Sequence, residues 1–294
     1  MKKLLVLLVL SRFIVFSQEE PSVKKDTSYW DKGALFGIQF SQSSFYQWTA
    51  GGENSIALAG LHKSNANYLK GNKSWANTLD INYGIIKQGN RGVRKTDDRI
   101  EFNSAYGQRA NNNWFYTGSF NFRTQFAPGF NTKKDLISDL FSPAYITLAL
   151  GMDYKPNKDF SFALSPIAGK ITVVTNDSLK SIGAFGVEPG KNVRYEFGGL
   201  MRVAWKKEVL TNVVLDTKLQ LFSNYMENPQ NVDVNWDALI TFKVNKYLSF
   251  NILAVLIYDH DILVPKGFNI EGIAINGRGV QFKEVLSFGV IYKI

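Results

Sequence analysis

The sequence predicts an all-β chain that closes into a transmembrane antiparallel up-and-down barrel of about twelve strands. Three observations carry this prediction. Apolar and polar residues alternate with a period of two along nearly all of the 294 residues after a short polar N-terminal region. Tight polar turns alternate with long links, and the charged residues of the clearest strands share one parity. The chain contains no cysteine, which excludes disulfides, thiolate metal sites and cysteine catalysis.

Residues 1–17 are predicted to be a cleaved signal peptide. Lys2 and Lys3 form a positive start, residues 4–10 are apolar, and Ser17 is a small residue before the expected cleavage point. Nothing after residue 18 approaches the ~18–20 apolar residues that a spanning helix needs. We therefore expect a short periplasmic segment over 18–33, a barrel over 34–294, and export to the outer membrane.

Each predicted strand shows one apolar and one polar face. In the segment 192–207, for example, Val193 and Tyr195 alternate with Arg194 and Glu196. The same pattern predicts twelve strands, at 34–47, 54–69, 74–87, 99–110, 113–127, 143–155, 159–174, 192–207, 211–227, 232–245, 247–259 and 281–294.

The connections between these strands alternate in length. Short polar turns such as 70–73 and 110–113 are followed by long links such as 128–142 and 260–280. Both chain ends fall on the short-turn side, which is expected to face the periplasm. A soluble β-sandwich would have shorter strands and no reason to keep this alternation. Tryptophans and tyrosines concentrate near strand ends, as interfacial girdles require.

The stretch from Trp48 to Ser55 (WTAGGENS) leads to a family resemblance. Together with Ala66-Asn67-Tyr68, Trp75-Ala76-Asn77 and the loop Lys95-Thr96-Asp97-Asp98, it resembles a domain-of-unknown-function family of outer-membrane barrels common in Bacteroidota. The resemblance covers about residues 30–130 and implies an outer-membrane barrel in a Gram-negative envelope. It implies no activity, so no functional residue can be carried over from it.

The paired glycines of this stretch are predicted to shape the backbone, because glycine readily adopts the positive φ that a tight reversal requires. We expect the shortest of the surface-side links here, with an interfacial aromatic before it and a strand resuming after it. The motif-turn residues are Trp48, Gly51, Gly52 and Asn54.

The predicted lumen carries charges of both signs. A Lys or Arg on the lipid face at mid-membrane costs ~2–4 kcal/mol, so the charged parity is expected to face inward. The charged residues predicted to line the lumen are Asp80, Arg99, Glu101, Arg123, Arg194, Glu196, Arg202, Asp216, Lys218, Asp237 and Lys243. They can line a narrow passage that favours anions, or pair with one another and close the bore.

Two local patterns suggest chemistry. His62-Lys63-Ser64-Asn65 is similar to the catalytic strand of outer-membrane phospholipases, and Asn77 on the next strand is a candidate to orient the imidazole. The run Asp259-His260-Asp261 offers oxygen ligands for a hard cation, although a solvated loop entrance is the simpler interpretation. We expect no metal, cofactor, nucleic acid or catalytic residue.

The favoured function is therefore an outer-membrane barrel that acts as an envelope scaffold or as an accessory subunit of an outer-membrane assembly. The alternative is a narrow, porin-like passage for small, anionic solutes, and a lipid hydrolase is a remote third. Outer-membrane lipid, lipopolysaccharide and other envelope proteins are the expected partners.

Overall fold

A computed structural model describes residues 29–44, 53–131, 134–268 and 274–293. Its strands, numbered in chain order, are β1 (Trp30–Ser43), β2 (Ser55–Lys70), β3 (Lys73–Gln88), β4 (Arg94–Asn111), β5 (Trp114–Thr124), β6 (Gly129–Phe130), β7 (Leu136–Ser138), β8 (Ala144–Tyr154), β9 (Phe160–Val173), β10 (Val193–Leu210), β11 (Val213–Asn224), β12 (Val232–Lys243), β13 (Leu248–Tyr258), β14 (Val264–Phe268), β15 (Ala274–Gly277) and β16 (Gln281–Lys293).

Twelve of these strands form one closed antiparallel barrel. Their order around the ring is β1-β16-β13-β12-β11-β10-β9-β8-β5-β4-β3-β2, so each strand pairs with its sequence neighbours in the barrel. The pairing of β1 with β16, from Leu35 opposite Lys293 to Phe40 opposite Phe288, closes the ring. The predicted twelve-stranded up-and-down barrel is confirmed.

The remaining elements are small and lie in the long links. The strands β6 and β7 form one two-stranded sheet, and β14 and β15 form another. A short helix, α1 (Asp177–Ser181), and a single 3₁₀ turn (Ala184–Gly186) lie between β9 and β10. Among the described residues, no helix is long and apolar enough to cross a membrane.

The two ends of the barrel differ in the typical length of their links. The short-turn end carries the links 71–72, 112–113, 155–159, 211–212 and 244–247, together with the start of β1 and the end of β16. The long-link end carries the links 44–54, 89–93, 125–143, 174–192, 225–231 and 259–280. The tightest turns use positive-φ residues, Gly71 at +54°, Asn112 at +30° and Asn212 at +63°.

Two sequence-based expectations about the first strands are wrong. The first strand begins at Trp30 and not at residue 34, so the barrel starts earlier than predicted. The run from Arg94 to Asp98, predicted to be a loop, is also part of a strand, because it pairs with β3 and extends β4. The predicted turn at Gly51 and Gly52 lies outside the described residues.

The two faces of the barrel wall follow the predicted alternation. Large apolar side chains on one parity of each strand are exposed on the outside, as in β16, where Phe282, Leu286, Phe288 and Val290 are all more than half exposed. Aromatic side chains cluster on the outside near the short-turn end, where the Trp114 and Tyr154 rings lie 4.9 Å apart. This is the apolar band and aromatic girdle that a lipid-facing wall requires.

Strand β9 changes parity at a bulge. The pairing register of β9 shifts against both neighbours, between Leu164 and Ile167 on the β8 side and between Ser165 and Ala168 on the β10 side. Pro166 lies inside this shift, and proline cannot donate a ladder hydrogen bond, so a bulge accommodates it. The bulge turns the even-numbered residues after it, including Lys170, toward the lumen.

The barrel has a packed wall and an open wall. Every buried non-glycine residue described in the barrel strands lies in β5 and β8–β13, which we call the packed wall. In β16 and β1–β4, the open wall, every described non-glycine residue is at least partly exposed as a whole, although the side chain of Asp98 is buried. A buried ionic cluster lies in the packed wall, and an apolar groove lies on the outside of the open wall.

Candidate functional site

The lumen is spanned by contacts between strands on opposite sides of the ring. Arg99 on β4 lies 3.5 Å from Asp237 on β12, and Lys218 on β11 lies 3.8 Å from Asp80 on β3. In the order of the ring, β4 and β12 are diametrically opposed, and so are β3 and β11. These side chains therefore meet across the full width of the bore.

Two further sets of contacts accompany these spanning pairs. Glu101 accepts hydrogen bonds from Arg99 on the same strand and one from the side-chain amide of Asn121 at 2.9 Å. Nearer the long-link end, Lys283 on β16 contacts Asp97 on β4 at 2.9 Å, again between strands that are not neighbours. The pairs thus obstruct the bore at more than one height.

Lys170 is the hub of a second ionic cluster. Its Nζ lies 2.9 Å from Asp233, 3.3 Å from Glu196 and 3.4 Å from Asp259. These partners come from β10, from β12 and from the residue that follows β13, so one cation ties together several strands of the packed wall. The Glu196 side chain is only 1% exposed, so its charge depends on neighbouring cations, of which Lys170 is one.

Arg194 extends the cluster toward the long-link end. Its guanidinium contacts Asp261 directly and Glu196 at 3.4 Å. Asp259 and Asp261, the carboxylates considered as cation ligands, are thus both neutralised by basic side chains. The Tyr258 hydroxyl and His260 Nδ1 are 3.1 Å apart. Within the described ranges, no group of three or more histidines and carboxylates is arranged to hold a metal ion.

Arg123 and Arg202 are inward arginines that have no carboxylate partner among the described residues. Arg202 donates to Ser119 Oγ at 3.2 Å, while its buried Nε has no hydrogen-bond partner within the described part of the chain. Arg123 stacks on the ring of Tyr145 at 4.8 Å. Both guanidiniums lie on the packed wall, with no described carboxylate beside them to neutralise their charge.

The remaining predicted lumen residues lie near the short-turn end. Asp216 pairs with Lys206 at 3.2 Å, and Lys243 pairs with Glu208 at 3.5 Å. All four lie close to the end of a strand, and three of the four side chains are substantially exposed. These pairs surround one mouth of the barrel and do not cross its centre.

Sequence reasoning missed Lys170 and an apolar cluster beside it. Ala149, Ala168, Leu200 and Phe222 pack together, fully buried, and Lys170 Nζ lies 5.3 Å from the centre of the Phe222 ring. If the alternation of inward and outward residues is counted from the start of β9, Lys170 is assigned to the outer face of the barrel. Pro166 was the signal that could have corrected the count, because a proline inside a paired strand indicates a bulge.

The candidate hydrolytic pair meets on the outer face. His62 Nε2 and Ser64 Oγ are 3.2 Å apart, but the buried Nδ1 has no hydrogen-bond partner within the described ranges. Asn77 does not orient the imidazole, because it donates to the Ala66 carbonyl at 3.2 Å and accepts from Ser104 at 2.8 Å. The absence of a described partner at Nδ1 favours the tautomer with the proton on Nε2, in which His62 donates to Ser64 and cannot act as its base.

The depth of Ser64 also disfavours ester hydrolysis. Ser64 lies four residues from Tyr68, which belongs to an aromatic cluster with Trp30 and Trp75 at the short-turn end. With the rise and tilt of barrel strands, four residues place Ser64 about 10 Å inside that girdle. Lipid esters lie near the girdle, so the hydroxyl is too deep to reach one.

Most of the glycine motif lies outside the described residues. This applies to Trp48, Gly51 and Gly52, as it does to the predicted signal peptide and to most of the segment 18–33. Asn54 is described and precedes β2, where its carbonyl accepts a hydrogen bond from Gly89 at 2.8 Å. The first two links of the long-link end are therefore joined to each other.

Comparison with known proteins gives a partial family match. Residues 40–130 match the profile of a family described as "Protein of unknown function (DUF3078)". This stretch takes in β2–β5, most of which is open wall. No curated protein matches the chain.

Solved structures with similar folds are distant in sequence. The translocator domain of the autotransporter NalP from Neisseria meningitidis is 10% identical, with 92% of this chain and 90% of that chain covered and a TM-score of 0.36. The COG4313 outer membrane channel from Pseudomonas putida F1 is 11% identical, with 89% and 95% covered and a TM-score of 0.40. The NanC porin is 8% identical, with 87% and 97% covered and a TM-score of 0.38.

Proposed function

We propose that this protein is an outer-membrane barrel with a closed lumen, acting as an envelope scaffold or as an accessory subunit of an outer-membrane assembly. The observation that supports a closed lumen is the pair of contacts between diametrically opposed strands, Arg99 with Asp237 and Lys218 with Asp80. A twelve-stranded barrel is much narrower than the 16–18-stranded channels. Side chains that meet across such a bore leave little room for a hydrated solute.

The proposal includes export and orientation. A signal peptide over 1–17 delivers the chain, the short-turn end faces the periplasm, and lipid and lipopolysaccharide surround the apolar band. Folded barrel should be recovered in the outer-membrane fraction and should migrate faster on a gel before boiling than after. Recovery as a soluble periplasmic monomer contradicts the proposal.

Conductance in a planar bilayer tests the closed lumen. The wild-type protein is expected to give no stable ohmic steps. A double variant, Arg99→Ala with Lys218→Ala, removes one partner from each diametric contact and is expected to conduct. Stable steps from the wild type contradict the scaffold proposal.

The control is a variant with the same change of charge outside the lumen. Lys191→Ala with Lys246→Ala alters two exposed lysines in links and should stay silent. Heat-dependent gel migration must show that every variant is folded before its conductance is compared. Steps in this control would mean that lost positive charge, and not lost spanning contacts, opens the barrel.

A narrow anion passage is the second candidate. Its support is the pair of inward arginines without carboxylate partners among the described residues, Arg123 and Arg202, because basic rings favour anions. If the wild type conducts, Arg202→Ala should reduce the preference for chloride over potassium. Unchanged ion selectivity would leave that arginine without a role in permeation.

A further inference from the structure

A groove of about 820 Å³ lies on the outside of the open wall. It crosses β16, β1, β2 and β3, and it ends against the link that follows β5. Its lining is almost entirely apolar and includes Phe36, Ile38, Gly60, His62, Tyr83 and Phe126. Phe36 and Ile38 are 47% and 62% exposed, so they belong to the lipid-facing band of the barrel.

The groove exists because of a missing side chain at its floor. Gly60 is paired with Ile38 on one side and Tyr83 on the other, both of which project outward. A Cβ placed on Gly60 would meet nothing within 4 Å. The large side chains beside Gly60 and the missing side chain at Gly60 together form a channel. This channel runs across four strands, along the direction of the hydrogen bonds between them.

A buried ion pair holds the end wall of the groove in place. Lys95 donates to Asp98 at 2.9 Å and to the Ala127 carbonyl at 2.6 Å, and Asp98 accepts from the backbone N–H groups of Phe126 and Ala127 at 2.7 and 2.9 Å. The Lys95 and Asp98 side chains are 15% and 2% exposed. They clamp the link so that the Phe126 ring lies edge-on to Tyr83, 6.4 Å away.

The height of the groove on the barrel points to the chemistry of its occupant. Twelve residues of β2 separate Ile56 from Tyr68, which with the usual rise and tilt corresponds to about 30 Å, the thickness of a hydrocarbon core. Lys87 pairs with Ile56 and therefore lies at the boundary nearer the long-link end. Gly60 lies about 10 Å deeper than Ile56, at the level of acyl chains.

Lys87 supplies a positive charge above the groove. It lies on the same face of β3 as Tyr83, four residues closer to the long-link end, and it is exposed. It forms no ion pair with any carboxylate in the described part of the chain. An anionic group held at Lys87 would lie at the depth of lipid headgroups, about 10 Å nearer the long-link end than Gly60.

From this arrangement we infer that the groove binds one acyl chain of a phosphate-bearing membrane lipid, with the lipid phosphate held at Lys87. An apolar channel at acyl depth and a free cation at headgroup depth are complementary to the two parts of such a lipid. The inference rests on the membrane embedding of the proposed function and not on the closed lumen. Conduction by the wild type would therefore overturn the closed lumen and leave the lipid site untouched.

Native mass spectrometry of the delipidated, detergent-solubilised protein tests the site, with dipalmitoyl phosphatidylglycerol as the probe. The wild type is expected to retain one lipid. Gly60→Leu fills the floor with a side chain that suits a lipid-facing wall, and it should lower occupancy at least about tenfold. Lys87→Ala should weaken binding about fivefold, the usual effect of one lysine near an anionic headgroup.

A second groove provides a matched control. It measures about 470 Å³, lies on β4, β5, β8 and β9, and also has a glycine, Gly169, whose Cβ would meet nothing within 4 Å. Gly169→Leu should leave lipid retention unchanged. Dipalmitoylglycerol, which lacks the phosphate, should bind the wild type and Lys87→Ala equally.

Three results would overturn the inference. Equal retention by the wild type, Gly60→Leu and Gly169→Leu would mean that the lipid is bound only as part of the surrounding annulus. An equal loss from the two leucine variants would mean that the groove has no preference. A dimer mass that disappears in Gly60→Leu would identify a second copy of the chain as the occupant.

Discussion

The packed wall and the open wall of this barrel are built from the same alternating strand pattern, but they differ in where their side chains are buried. In the packed wall, Lys170, Glu196 and Asp233 form a buried ionic cluster beside a group of buried apolar side chains. In the open wall, the inner side chains remain partly exposed, and the notable cavity lies outside, over Gly60. The contrast separates a region of buried ionic and apolar contacts from a region whose cavity faces outward.

The largest effect is expected from removing the hub of the packed wall. Lys170→Met leaves three carboxylates without their shared cation, and breaking a buried pair in this way costs roughly 3–5 kcal/mol of unfolding free energy. Urea titration of the barrel refolded into lipid vesicles measures the loss. Lys206→Met, which removes a 67% exposed lysine with one carboxylate partner, should cost less than about 1 kcal/mol.

A second substitution shows whether the hub acts by neutralising charge. Adding Glu196→Gln to Lys170→Met removes the most deeply buried of the three carboxylates. Part of the lost stability should return, because one fewer uncompensated charge remains buried. If the double variant is less stable than Lys170→Met, Glu196 is stabilised by other contacts, such as Arg194, and its uncompensated charge is not the cause of the loss in Lys170→Met.

Glycine-to-alanine substitutions compare the two walls with the same chemical change. In the packed wall, a Cβ on Gly198 would collide with the Ser223 carbonyl and lie 3.2 Å from Asn224 Cα. In the open wall, Gly60 has free space around it. We expect Gly198→Ala to cost roughly 1–3 kcal/mol and Gly60→Ala to change stability by less than about 0.5 kcal/mol.

The same urea titration measures both glycine variants. Equal losses would mean that backbone conformation, and not the space around each glycine, decides the cost. If both variants are as stable as the wild type, β10 and β11 can separate locally without a loss of unfolding free energy. Either result would remove the distinction between a tightly and a loosely built wall.

The existence of each strand, and which of its faces points into the lumen, were predictable because each strand carries its own alternation of apolar and polar residues. The alternation around Arg194 and Glu196 identifies β10 and its inner face without reference to any other strand. The register change at Pro166 broke this signal in β9, and so the role of Lys170 was missed. A local pattern reports the parity of a strand only as far as the next bulge.

The partners of the lumen charges were not predictable from the same signal. That Arg99 meets Asp237 depends on the number of strands in the ring, since only a twelve-membered ring places β4 opposite β12. The external groove is equally hidden in the sequence. The groove requires Gly60, its neighbours on three other strands, and the ion pair of Lys95 and Asp98. These residues are far apart in the sequence, so no local pattern connects them.

The smallest effect concerns the hydrogen-bonded pair of the open wall. Ser64→Ala is expected to leave ester hydrolysis at the buffer rate, as in the wild type, because no described group contacts Nδ1 of His62 to orient the imidazole as a base for Ser64. Fatty-acid release from mixed detergent and phospholipid micelles, followed at constant pH, measures the rate. A wild-type rate above buffer that Ser64→Ala abolishes would make the open wall a catalytic surface, and the acyl chain in its groove would then be a substrate.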